Sequence, residues 1–448
     1  MPDHILLVSH DTLGDQIAGP GIRYLQMARV LARHINLLLA IPSHSPPWQD
    51  ENSAELRVVR YTHGQWNTLE PHARGCRVVI CSPDTFADFP QLAAGDWCLA
   101  MDDYDPLLSE WLAETAIKNT TSQESAWRQR MNAIHLHWLH GDFFFCASER
   151  QRDWMLGILE AMGRLNLHTY GEDHTLRRLV DVVPTGLPAA PPIHTRNVFR
   201  NTWPGIDQND VLLLWGGGLW PWLDPLTAIH AVHQVRNQIN SLKLLFPGTR
   251  RPNTNISDFR TLLPEVQALT QSMNLQDCVL FGDWMPYKDW PNALLEADLA
   301  LTLHIDSLET RLAFRSRVLD YIWAGLPTIA SAGDATSDLI QHYGLGIVVA
   351  PGKVDAVANA IVALACAGRP LPGADFDRAR KALTWEVVLQ PLIHFCLNPR
   401  RAPDKVAMPG RIGPPFFVAK VEEASHWKSV SEAYANGRFM RFMRWLKG

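Results

Sequence analysis

The densest set of chemically capable side chains lies in the run His304-Ile305-Asp306-Ser307-Leu308-Glu309-Thr310-Arg311-Leu312-Ala313-Phe314-Arg315-Ser316-Arg317-Val318-Leu319-Asp320. Glu309, Arg311, Arg315, Arg317 and Asp320 mix both signs there. Carboxylates can hold sugar and ribose hydroxyls, and guanidinium groups can chelate a diphosphate whose charge grows as it departs. The same spacing also fits a solvated helix face of ion pairs, Arg317 with Asp320 among them. Two glycine-bearing loops add to the set. In Asp15-Gln16-Ile17-Ala18-Gly19-Pro20-Gly21-Ile22-Arg23, small residues at Gly19 and Gly21 would let a phosphate or a sugar oxygen approach the positive end of the next helix; a plain strand-to-helix turn has the same composition. Gly216-Gly217-Gly218 precedes Asp224-Pro225, an N-cap and first-turn pair that starts a helix facing Gly217 and Gly218. A dinucleotide fingerprint is disfavoured, because Pro221 stands where its last Gly belongs and the next strand runs into Gly248-Thr249-Arg250-Arg251 instead of an acidic residue. Arg250 suits a phosphate. Asp102 and Asp103, in Met101-Asp102-Asp103-Tyr104-Asp105-Pro106, either cap the following helix or present carboxylates to a ligand. No metal site is expected: His135, His137 and His140 do not all share a helix face, and no Cys or carboxylate completes a set.

These residues need elements to position them. Short β-rich runs recur at Ile5 to Ser9, Leu37 to Ile41, Leu56 to Arg60, Val78 to Ser82, Trp97 to Met101, Phe143 to Ala147 and Val180 to Pro184. Helical patterns lie between them. Ile22 to Arg33 carries an apolar stripe, and Ser148 with Gln151 predicts a capping box. The stretch from Pro184 to Gly205, rich in Pro, reads as a linker. The alternation then restarts at Val211 to Trp215, Leu242 to Phe246, Val279 to Gly282, Leu299 to Leu303, Thr328 to Ser331 and Gly346 to Val349. Such alternation predicts two doubly wound parallel sheets, with ligands in the cleft beyond the carboxyl ends of the strands. Phe314, Val318, Leu319, Ile322 and Trp323 form one helix face, stopped by Gly325 and Pro327.

At 448 residues the chain exceeds one usual core, and 47% apolar with 19% charged residues is an ordinary globular composition. A net charge of −5 argues against nucleic acid as a partner. Seven scattered cysteines without a CxxC suit a reducing, cytoplasmic setting. No leader and no membrane-spanning run is expected from the sequence. The tail from Gly437 to Lys447 is basic and aromatic, which fits either peripheral contact with a membrane or packing back on the first domain.

The stretch Glu309 to Pro327, with Gly216 to Pro225 and Gly248 to Asn253, resembles the family 4 retaining glycosyltransferases of the GT-B fold, and more narrowly a bacterial subgroup with an E-T-R-x-x-F-R-x-R-x-x-D-Y-x-W-A-G-L-P signature. The resemblance implies an N-terminal acceptor domain (1–190), a C-terminal donor domain (205–395) and an extension (396–448). It also implies a nucleoside-diphosphate sugar of UDP or GDP type as co-substrate, a glycan or lipid-linked glycan acceptor, and no obligatory metal or other cofactor. By position, Asp320 would hold the ribose and Glu309 the sugar hydroxyls; Arg250, Arg315 and Arg317, beside Arg311, would meet the diphosphate. Asp102 or Asp103 would orient the acceptor or stabilise charge at the anomeric carbon. Two departures stand out. The usual motif has seven residues between its glutamates, yet Leu312 stands eight positions before Asp320, and the usual Arg and Lys are missing from Gly216 to Leu223. The implied activity is retaining transfer of a hexose-type sugar in building a bacterial surface glycan; a sugar-nucleotide 2-epimerase of the same fold or a silent sugar-nucleotide binder are the other classes.

Overall fold

The computed structural model describes residues 4–48, 51, 56–115, 121–239, 241–250, 261–409, 413 and 415–437. Arg251 and the basic tail from Arg438 onward lie outside the described residues.

Among the described residues thirteen strands form, one at each run expected from the sequence. They are β1 (His4–Val8), β2 (Leu37–Pro42), β3 (Arg57–Tyr61), β4 (Cys76–Cys81), β5 (Cys98–Asp102), β6 (Phe143–Cys146), β7 (Val180–Val182), β8 (Val211–Trp215), β9 (Leu242–Phe246), β10 (Val279–Phe281), β11 (Leu299–Thr302), β12 (Thr328–Ser331) and β13 (Gly346–Val349). Their near-continuous apolar sequence has a physical cause, since a parallel strand covered by helices is buried on both faces. Ile5 and Leu7 enter one layer while Leu6 and Val8 enter the other. Leu213 and Trp215 alternate with Leu212 and Leu214 in the same way.

The first sheet runs β3-β2-β1-β4-β5-β6-β7 and the second β10-β9-β8-β11-β12-β13, with every pair parallel. Each order reverses once, between β1 and β4 and between β8 and β11. A crevice opens where adjacent loops part to opposite faces, so the loops after β1 and β8 are placed to meet a ligand.

The two domains are bound together at several points. Gln151 is fully used: its Oε1 accepts from Ala147 N at 2.6 Å, and its Nε2 donates to Tyr104 O at 2.8 Å and to Leu312 O of the second domain at 2.7 Å. Only half of the expected capping box therefore forms. Ser148 accepts from Gln151 N at 3.2 Å, whereas the Gln151 side chain spans the domains instead of closing on Ser148 N. Later the chain returns to the first domain. Trp385, Leu389, Leu392 and Phe395 sit in the same core layer as Ile5 and Leu7, and Phe395 stacks on Phe143 at 4.8 Å. The stretch from Trp385 joins the helix Gly19–Leu31 in covering that face of the first sheet. It is fastened by Arg164, whose fork donates to Asp404 at 2.6 and 3.2 Å with both side chains fully buried.

Removing one partner of a buried pair leaves the other charge uncompensated. Asp404→Ala is expected to cost about 3–5 kcal/mol, seen as a fall in the urea midpoint of the first domain.

Candidate functional site

The loop after β8 is shaped by one tyrosine. Gly216 N donates to Tyr321 Oη at 2.8 Å, and that hydroxyl donates to Leu301 O at 3.3 Å. A Cβ at position 216 would lie 2.5 Å from the same oxygen, so only glycine allows this approach. Gly217 next to it has open space around it and faces a cavity of about 240 Å³ between the two sheets. The first domain contributes Gly19, Pro20, Asp105 and Glu110 to its walls; the second contributes Gly217, Gly218, Arg315, Ser316 and Arg317 with Trp215, Trp220 and Trp284.

Two helices begin at this cavity, Gly19–Leu31 and Ser316–Ala324, and neither N-cap residue, Ala18 or Arg315, supplies a side-chain acceptor. Their first N–H groups, and the positive ends of both helix dipoles, are thereby left for an anion. A niche of about 40 Å³ adjoins, lined by Ile17, Gly217, Trp284, Tyr287, Trp290 and Arg317. On the other side, a cavity of about 260 Å³ in the first domain shares Pro20, Asp105 and Glu110 with the central one and adds His10, Asp102 and Arg130.

Several residues singled out from the sequence converge here: Gly19, Gly217, Gly218, Arg315 and Arg317 line the central cavity, and Asp102 lines its neighbour. Others do not. Glu309 is 1% exposed and absent from the cavity wall, because both of its oxygens accept from the Arg315 fork at 2.7 Å. That placement does not match a direct hold on sugar hydroxyls; Glu309 positions Arg315, whose Nε, 3.6 Å from Asp334, has no hydrogen-bond acceptor among the described residues. Asp320, called for the ribose, is also paired here. It accepts from Arg317 and from Trp290 Nε1, each at 2.9 Å, and holds Arg317 over the Trp290 ring at 5.2 Å. Arg311 and Arg250 are exposed and outside these cavities. Gly21 serves packing, as a Cβ there would come within 2.8 Å of Thr12 O and Ile17. Asp102 receives the Arg23 fork at 2.9 Å twice, and Asp103 lies 3.0 Å from His137 Nε2. Both carboxylates are therefore engaged.

The structure adds residues that sequence reasoning passed over. Asp105 and Glu110 stand where the central and first-domain cavities join. Burial pushes the Asp105 carboxyl up to about 7, with Tyr104 and Arg23 opposing and the Asp102 charge adding to it. Burial also lifts Glu110 well above the ordinary range, helped by the nearby charges of Asp105 and Glu309 and opposed by Arg315. The signal for Asp105 was its position after β5, four residues from Met101; Glu110 is visible only as the acid in the first turn of the helix Leu107–Thr115. Trp284 follows β10 and could have been found by the rule about strand ends.

Residues 210–366 match the family model described as Glycosyl transferases group 1. Among solved structures, sucrose-phosphate synthase from Thermosynechococcus elongatus is similar at 17% identity with a TM-score of 0.61, covering 88% of this chain and 98% of that one. Anabaena HepE in complex with UDP and glucose is similar at 14% identity with a TM-score of 0.62, covering 88% and 99%. A glycosyltransferase from Rickettsia africae is similar at 13% identity with a TM-score of 0.57, covering 89% and 99%. No curated protein sequence matches the chain. The chain has the GT-B fold, two facing parallel-sheet domains, as the sequence led us to expect.

The raised Asp105 carboxyl has a measurable sign. Between roughly pH 4 and its folded value the folded chain binds a proton there that the unfolded chain has released, so stability falls as pH rises through that window. Asp105→Asn is expected to flatten that fall in pH-dependent urea titrations. In the unmodified chain, 13C-labelled aspartate should show a side-chain resonance titrating at about 7 that the variant lacks.

Proposed function

We propose that the chain is a nucleotide-sugar-dependent glycosyltransferase that moves a hexose-type sugar from a UDP- or GDP-type donor, with retention, to a hydroxyl of a glycan or lipid-linked glycan acceptor. The observation that carries this reading is the convergence of two uncapped helix N-termini with Arg315 and Arg317 on one interdomain cavity, inside the segment that matches the glycosyl transferases group 1 model. The N-termini of Ser316–Ala324 and Gly19–Leu31, with Arg317, meet the diphosphate; Arg315 stabilises its charge as it leaves. The aromatic niche of Trp284, Tyr287 and Trp290 stacks the base. Because the positive charge comes from helix ends and guanidinium groups, the diphosphate needs no bridging metal. Asp105 and Glu110 sit between this cavity and the next, where an acceptor hydroxyl would attack. Asp105, partly ionised near neutral pH, is suited to orient that hydroxyl and to ease its proton away.

The second cavity favours transfer over epimerisation, which needs no space for an acceptor. A role in bacterial surface glycan synthesis on the cytoplasmic side follows from the same reading. No helix among the described residues is long and apolar enough to cross a membrane.

Two measurements test the proposal. Across a panel of nucleotide sugars, at least one should bind and be hydrolysed or transferred with its anomeric configuration kept; binding of none overturns the reading. Arg317→Ala should lower kcat/KM about 100-fold or more, the scale for losing one group that stabilises developing charge, whereas Arg311→Ala should change it little.

A further inference from the structure

We propose that His10, His63 and Asp88 form a binding site for a divalent cation of zinc type at the edge of the first domain's cavity. His10 follows β1, His63 follows β3, and Asp88 ends the helix Pro83–Asp88, so three separate elements bring them together. Each offers one ligand atom, and the three atoms all lie within 4.8 Å of one another. His63 Nδ1 is 2.7 Å and His10 Nδ1 3.9 Å from the same oxygen, Asp88 Oδ2. Four ligands held tetrahedrally at about 2.0–2.1 Å from zinc are spaced roughly 3.3 Å apart. The two separations from Asp88 bracket that spacing, and the two imidazole nitrogens, within 4.8 Å of each other, would draw together as the ion binds.

A second observation points the same way. His10 Nδ1 is buried and has no hydrogen-bond partner among the described residues, although the Asp88 carboxylate is near. A cation between them would satisfy it. The exposed His44 ring lies 5.6 Å from that of His63 and is within reach as a further ligand. Two imidazoles and one carboxylate suit zinc among the divalent ions, and three protein ligands leave a position open. The side chains of His10, His63 and Asp88 are 28%, 32% and 32% exposed, which gives an ion a way in.

His10 also lines the cavity that holds Asp102, Glu110 and Arg130. The open position would therefore take an oxygen of the acceptor, a role that rests on the function proposed above; the binding of the ion does not.

The test is equilibrium dialysis of the tag-free full chain against Zn²⁺, with bound metal counted by mass spectrometry and Co²⁺ used as an optical probe. One equivalent held at micromolar affinity or better, with the visible bands of tetrahedral Co²⁺, is expected. His63→Ala and Asp88→Asn should each abolish it while circular dichroism is unchanged, and bound zinc should protect His10 and His63 from diethyl pyrocarbonate. Failure of the unaltered chain to bind a stoichiometric ion overturns the site, whatever the variants do; so does binding that survives both substitutions. If zinc binds but its chelation leaves the acceptor KM unchanged, the role toward the acceptor is overturned and the site stands. If no nucleotide sugar is used yet zinc binds, the proposed activity fails alone.

Discussion

The site depends on one buried ion pair, the fork of Arg315 on Glu309. Taking a guanidinium and a carboxylate out of water costs several kcal/mol each, which two parallel hydrogen bonds of 2.7 Å offset. The pair then fixes what surrounds it. Arg315 is the residue before the helix Ser316–Ala324, so holding its side chain sets where that helix starts and where its free N–H groups point. Its Nε lies near Asp334, which caps the helix Ala335–Tyr343 by accepting from Ser337 N at 2.6 Å. The first domain repeats the device with Arg23 on Asp102. In both halves an arginine fork on a buried carboxylate supports the cavity wall.

This arrangement separates two kinds of charged residue that look alike in a sequence. Glu309 and Arg315 are six positions apart, and Arg23 and Asp102 are 79 apart. Neither separation is a helix-face spacing, so both carboxylates read as free to serve a ligand. Arg317 with Asp320 does follow such spacing, and there the expected pair forms. The strands were legible throughout because a parallel strand buried on both faces needs an unbroken apolar run, which is a local property. Asp105 and Glu110 were not legible as a site. Their raised carboxyls come from burial and from neighbours such as Glu309 across the cleft, which only the assembled domains provide.

The glycine loops divide in the same physical way. Gly216 and Gly21 exist for close packing against Tyr321 and Thr12, while Gly217 and Gly19 leave room at the cavity. A glycine count alone mixes structural and ligand-facing positions, and the distance from a would-be Cβ to its nearest atom separates these four.

Gln151 has a mechanical consequence. Its amide has one oxygen and two hydrogens, and all three are committed, the last to the carbonyl of Leu312 in the opposite domain. Pulling the domains straight apart would strand that buried amide at a cost of about 1–3 kcal/mol for each group left unsatisfied. Gln151 thus rivets the two walls of the cleft at one buried point, where the carbonyls of Tyr104 and Leu312 share a single amide.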